Sequence, residues 1–144
     1  MYVVKSCVLT MSNPFPTESN IVNFPLPVED VKPAIYIAGP MSGIPNYHRE
    51  LFNETAEAFE DGGWEVFNPA ENDVELFGSH EECDKAIEAD RQGALRIMLG
   101  SDLDYICSRA NAIAMLPGWE KSLGARAEHA TAVALGLEII YLSS

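Results

Sequence analysis

Basic residues are scarce in this chain: nine Lys and Arg stand against 22 Asp and Glu, a net charge of −13. Without a basic face it cannot follow a nucleic-acid backbone, which excludes DNA and RNA as partners. A single phosphate stays possible, because backbone N–H groups and a helix N-terminus can hold one without a basic surface. Cysteine is sparse too. Cys7, Cys83 and Cys107 are odd in number, widely spaced and in no CxxC pair, which argues against a disulfide framework or zinc site and fits reduced thiols in the cytoplasm. No run of residues approaches a membrane span, and the apolar run within residues 1–10 is too short for a signal peptide. GxGxxG, GK[ST] and GxSxG are all missing, which removes the dinucleotide, P-loop and serine-hydrolase fingerprints. His48, His80 and His129 have no metal-ligand spacing and read as structural or surface residues. The absences leave a cytoplasmic protein acting on a small molecule, with no metal, cofactor or membrane.

What is present is the material of one globular domain: 144 residues, 47% hydrophobic and 22% charged, enough for a full core. Pro14, Pro16, Pro25, Pro27 and Pro33 crowd the first part of the chain. Residues 11–33 are therefore barred from helix and resist central-strand pairing, and residues 1–33 read as an extended arm in which Tyr2–Leu9 has the β-branched content of a strand interrupted by Lys5 and Ser6. Its Phe15, Ile21, Phe24 and Leu26 need cover, which a neighbouring subunit could supply.

From Ala34 to the end, residues 34–144, the pattern is regular. Ala34–Ala38 predicts a strand closed by Gly39-Pro40. Apolar residues at near-helical spacing from Asn46 to about Glu60 predict a helix, stopped by Gly62-Gly63. Trp64–Phe67 predicts a second strand, Ala70 to Ser79 a polar loop, and Glu81 to Ser108 helix broken near Gly100-Ser101. Ala112–Leu116 predicts a third strand, Ser122–Leu135 a helix, and Glu138–Leu142 a last strand. Short apolar strands alternating with helices indicate an α/β doubly wound parallel sheet, Rossmann-like or flavodoxin-like. Right-handed crossovers favour strand order 2-1-3-4. The loops leaving strands one and three then meet at the topological switch point, where open α/β sheets bind ligands.

Those two loops carry the chemistry. Gly39-Pro40-Met41-Ser42-Gly43 is a small-residue turn that lets backbone approach a ribose or phosphate. Pro117-Gly118-Trp119-Glu120-Lys121-Ser122-Leu123-Gly124 brings a hydroxyl and a glycine to a helix start, an oxyanion-binding corner. Glu128 follows on that helix, with Gly124 at i−4 leaving it uncovered. Asp102 could supply a second carboxylate, and two carboxylates at one crevice suit glycosidic chemistry. Each residue alone has a plainer reading, such as a surface Glu, a helix-capping Asp or a βα turn. Their convergence on one crevice is what suggests a site.

The motifs Tyr36-Ile37-Ala38-Gly39-Pro40-Met41-Ser42-Gly43, Phe67-Asn68-Pro69-Ala70-Glu71, Ser101-Asp102-Leu103 and Leu116 through Glu128 resemble the nucleoside 2-deoxyribosyltransferase superfamily. Within it the chain is most similar to the 2′-deoxynucleoside 5′-monophosphate N-glycosidases, as a compact branch frequent in phage and bacterial genomes. The resemblance implies that Glu128 is the nucleophile and Asp102 helps with the sugar or leaving base. It implies that Ser122 and Gly124 hold a 5′-phosphate, with Gly39, Pro40, Met41, Ser42, Gly43 and Asn68 lining the substrate site. Arg49 would stand in for an arginine lacking within Gly39–Gly43. It also implies a homodimer or higher homo-oligomer whose subunits complete each other's pockets. One departure is Asn111, where the family often has an acidic residue. The function implied is cleavage of the N-glycosidic bond of a (2′-deoxy)nucleoside 5′-monophosphate by way of a glycosyl–glutamate ester. The alternatives are base exchange on unphosphorylated nucleosides and a non-catalytic nucleotide-binding module.

Overall fold

Two runs without a single charged residue, Ala34–Ala38 and Ala112–Met115, form strands β1 and β3, and every residue of both is buried. They are the central pair of a four-stranded sheet whose other members are β2 (Glu65–Phe67) and β4 (Glu138–Tyr141). The order is β2-β1-β3-β4 and all three pairings are parallel. The expected α/β topology is therefore the observed one. Only a strand covered on both faces can be apolar throughout, whereas the edge strands keep partly exposed residues. The computed structural model describes residues 31–144. The proposed arm, apart from its last three residues, lies outside them. Lys32–Ser144 is one compact unit.

Side-chain alternation sorts the core into two layers. Ile35, Ile37, Ala112 and Ala114 face helix α1 (Arg49–Asp61), where Phe52 and Ala56 are buried against them. Tyr36, Ala38, Ile113 and Met115 face α4 (Arg91–Ser108) and α5 (Leu123–Leu135), which contribute Ile106, Ala125 and Ala132. Between β2 and α4 lie two shorter helices, α2 (Pro69–Phe77) and α3 (His80–Ala89).

Two sequence expectations fail here. The segment Ala70–Ser79 is not a loop but α2. Asn68 starts it by accepting the Ala70 N–H at 3.0 Å, and Pro69 sits in the first turn, where its missing N–H costs nothing. The long helical stretch also breaks at Asp90 rather than at Gly100-Ser101. Asp90 leaves the helical region (φ −149°, ψ 84°) and its carboxylate accepts the Gly93 N–H at 3.0 Å, capping α4. Gly100 lies exposed inside α4 with nothing within 4 Å of where a Cβ would be, a tolerated cost of about 1 kcal/mol.

Candidate active site

The C-terminal ends of β1 and β3 open into a cavity of about 780 Å³, a volume typical of small-molecule sites. Gly39–Ser42 forms one wall, Pro117–Ala125 another, and α2, α3 and α4 close the side beyond β2. The two loops are in direct contact. A Cβ on Gly39 would come within 2.7 Å of Leu116 Cβ, so only glycine lets the β1 and β3 ends close together.

The corner after β3 is built by backbone turns and an aromatic brace. Gly118 takes φ 84°, a conformation other residues adopt only with strain. The turn Trp119–Lys121 is closed by Lys121 N–H to Gly118 O at 3.1 Å and Ser122 N–H to Trp119 O at 3.0 Å. Trp119 stacks on His129 at 4.3 Å, and His129 Nε2 pairs with the Tyr141 hydroxyl at 2.8 Å. Ser122 Oγ accepts the Ala125 N–H at 3.2 Å and so caps α5. Among the described residues nothing accepts the Ser122 hydroxyl proton, which lies beside the first N–H groups of the helix.

Two turns into α5, Glu128 is 6% exposed and lines the cavity. A Cβ on Gly124 would stand 4.0 Å from its Oε1, so glycine keeps the carboxyl uncovered from the turn above. Below it, the fully buried Tyr36 hydroxyl donates to Glu128 Oε1 at 3.0 Å. Asp102 reaches the cavity from α4, 7% exposed, and its Oδ1 has no partner among the described residues. Asp73 reaches it from α2. Burial pushes Glu128 up to about 8, the Asp102 and Asp73 charges add to the rise, and the Tyr36 hydroxyl opposes it. Burial and Asp73 push Asp102 up to about 7, again against Tyr36. Near neutral pH the pair holds protons that ordinary carboxyls would have lost. A buried, partly protonated carboxyl pair can supply a nucleophile and an acid side by side. Among the described residues no grouping of His, Cys, Asp and Glu has the arrangement of a metal centre, and no helix is long and apolar enough to cross a membrane.

A family model for a domain of unknown function, DUF4406, matches residues 33–141. The chain belongs to the DUF4406 family. No curated protein and no solved structure matches it. The matched region runs from before β1 to the end of β4, so the DUF4406 domain contains the sheet, the cavity and all three carboxyls.

Of the residues expected at the site, the DUF4406 cavity brings together Gly39, Pro40, Met41, Ser42, Arg49, Asp102, Ser122, Gly124 and Glu128. Gly43 and Asn68 stand outside its wall. Gly43 supplies a turn (φ 80°) with nothing near it, and Asn68 is engaged in capping α2 and in donating from its Nδ2 to Asn53 Oδ1 at 2.8 Å. Asp102 is no helix cap: it lies in the second half of α4 with its carboxyl buried. Arg49 lines the cavity but its guanidinium is engaged by Asp84 and Asn46, each at 3.1 Å, and lies over the Tyr47 ring. Asn111, the departure from the resembled family, sits at the opposite end of the sheet. Its Oδ1 accepts the Ala34 N–H at 2.8 Å, a structural acceptor that a carboxylate could equally provide.

Sequence reasoning missed Tyr36, Asp73 and Lys121. Tyr36 had a readable signal, a polar tip within an otherwise apolar central strand, which must find a buried partner. Asp73 was hidden because its helix read as a loop. Lys121 lies in the recognised corner, on the cavity wall.

Proposed function

We propose that this DUF4406 domain cleaves the N-glycosidic bond of a (2′-deoxy)nucleoside 5′-monophosphate, with water as acceptor. The observation that carries the reading is the buried Glu128–Asp102 pair, with Tyr36 on Glu128, at the floor of a cavity whose rim is a helix start. Glu128, as carboxylate, attacks C1′; the C1′–N bond breaks, and its electron pair leaves on the base, which takes the Asp102 proton. Water then attacks C1′ of the ester, giving its proton to Asp102 and releasing Glu128 as carboxylate. The products are free base and the sugar 5-phosphate. Ser122, the N–H groups of the first turn of α5 and the Lys121 ammonium supply phosphate binding.

A second reading, base exchange between unphosphorylated nucleosides, is favoured by the engagement of Arg49 with Asp84, which withdraws one cation from the 5′ end. Incubation with nucleosides and their 5′-monophosphates, with and without a second base, tests both, with chromatography following free and exchanged base. Release from monophosphates alone is the expected result. Exchange from nucleosides would establish the second reading, and binding without release would overturn both.

A further inference from the structure

Asp73 has no place in the chemistry above, yet it is a largely buried acid in the cavity lining. It is 8% exposed, it lines the cavity, and no described residue hydrogen-bonds to it. A carboxylate facing a cavity has room for several donors. A ligand that enters the cavity can supply them in place of water.

Its position says which part of a nucleotide that is. Asp73 lies one turn into α2, directly after β2, whereas Ser122 follows β3. With β1 between them, the two stations are two strand spacings apart, about 10 Å, and the Gly39–Ser42 loop lies across the gap. A nucleotide with its phosphate at Ser122 and C1′ at Glu128 extends its base toward α2. There the wall includes Ile87, Met98 and Leu99, apolar surfaces suited to a flat ring. Next to Asp73, Asn72 Nδ2 donates to Ser101 Oγ at 3.0 Å, tying α2 to α4 beside Asp102. The carboxyl is thus held in a fixed wall.

We propose, on the glycosidase reading above, that Asp73 selects the base: its two oxygens accept the adjacent ring and exocyclic N–H donors of a guanine-type edge. Among the common bases only guanine presents two such donors side by side. Adenine and cytosine place a ring acceptor beside the amino group, and thymine flanks its single N–H with carbonyls. The preference follows from charge-assisted bidentate pairing. Burial raises Asp73 only to about 6, with Arg49 opposing the rise, so it is mostly ionised and accepting above neutral pH.

The test compares the 5′-monophosphates of 2′-deoxyguanosine and 2′-deoxyinosine, which differ by the exocyclic amine alone. Affinity is measured calorimetrically in Glu128→Gln protein, with Asp73 or with Asp73→Asn, and base release is measured with Glu128 intact. The guanine ligand is expected to bind about 10–100-fold more tightly, and Asp73→Asn to shrink that ratio below about threefold without lowering the melting temperature. A ratio near one with Asp73, a ratio unchanged by Asp73→Asn, or no binding of either ligand would each overturn the assignment. An Asp73-dependent ratio without base release would retain Asp73 as selector and reject the glycosidase. Base release with no such ratio would do the reverse.

Discussion

Glu128 is a side chain whose burial works against the fold that holds it. Its folded pKa rises from 4.5 to about 8, so the folded protein binds the proton more tightly than the unfolded chain does. Stability from this group is therefore present at low pH and is lost as pH climbs through that window. Glu128→Gln keeps an acceptor for the Tyr36 hydroxyl and carries no charge. It is expected to stabilise the domain above pH 8 by on the order of 2–4 kcal/mol, and much less near pH 4.5, the ordinary value for glutamate. Thermal melts across this pH range check it, and equal gains at both ends would show that charge is not the cause. In the same variant, base release should fall by several orders of magnitude. At this scale the sequence was partly legible. Glu128 stood out because Gly124 lies one turn before it. The Tyr36 contact spans β1 and α5, 92 positions apart in the chain, and no local pattern could announce it.

Elements were legible where their signals were local. Continuous apolar runs gave β1 and β3, and Gly62 and Gly136 fixed the ends of α1 and α5. Helix α2 was hidden because Glu71, Asn72, Asp73 and Glu75 look like a loop, and its start depends on the side chain of Asn68. The N-terminus of α5 offers the sharpest test of an element's double use, as cap and as proposed phosphate site. Ser122→Ala is expected to cost about 1 kcal/mol of stability through the lost cap and to weaken monophosphate binding by about 1–3 kcal/mol. Ser122→Asp should keep the cap yet place a negative charge where the phosphate binds. Melting temperature near that of the unsubstituted protein, with monophosphate affinity abolished and nucleoside affinity retained, is the expected pattern by calorimetry. Parallel loss of nucleoside affinity would remove the phosphate from this corner. The turn Pro45–His48 is a further element that composition did not foretell. Asn46, Tyr47 and His48 all have φ between 52° and 59°, a conformation that costs each of them energy. His48 Nδ1 against Pro40 O at 3.1 Å and Arg49 donating to Asn46 help hold it at the cavity rim.

For the whole molecule, charge and topology pull apart. The sheet order followed from the alternation of strands and helices, because a parallel sheet covered on both faces has few ways to be wound. The net charge of −13 says nothing of the fold but bears on how the proposed nucleotide would arrive. An anionic substrate approaches against a repulsive field, which salt screens. Raising ionic strength from about 10 mM to about 150 mM is therefore expected to lower KM for the monophosphate and leave that of a neutral nucleoside unchanged. Steady-state assays at several salt concentrations decide this, and a KM that rises with salt would indicate a locally attractive mouth instead. The rate of base release should peak between pH 7 and 8, where the Glu128–Asp102 pair, with values of about 8 and 7, holds a single proton. Below that range both carboxyls are protonated and above it both are ionised; within it the reactive form is the minor one, with the single proton on Asp102 rather than on the more basic Glu128.

The three cavity carboxyls also make ligand binding a proton-transfer event with the surrounding buffer. A phosphate dianion docking in the cavity that holds Asp73, Asp102 and Glu128 would deepen the repulsion that already raises Asp102 and Glu128, and the protein would draw protons from solution to relieve it. The heat of binding a monophosphate should accordingly shift with the ionisation enthalpy of the buffer, whereas that of a neutral nucleoside should shift far less. Calorimetry in two buffers of the same pH would count the protons taken up, without any turnover at all.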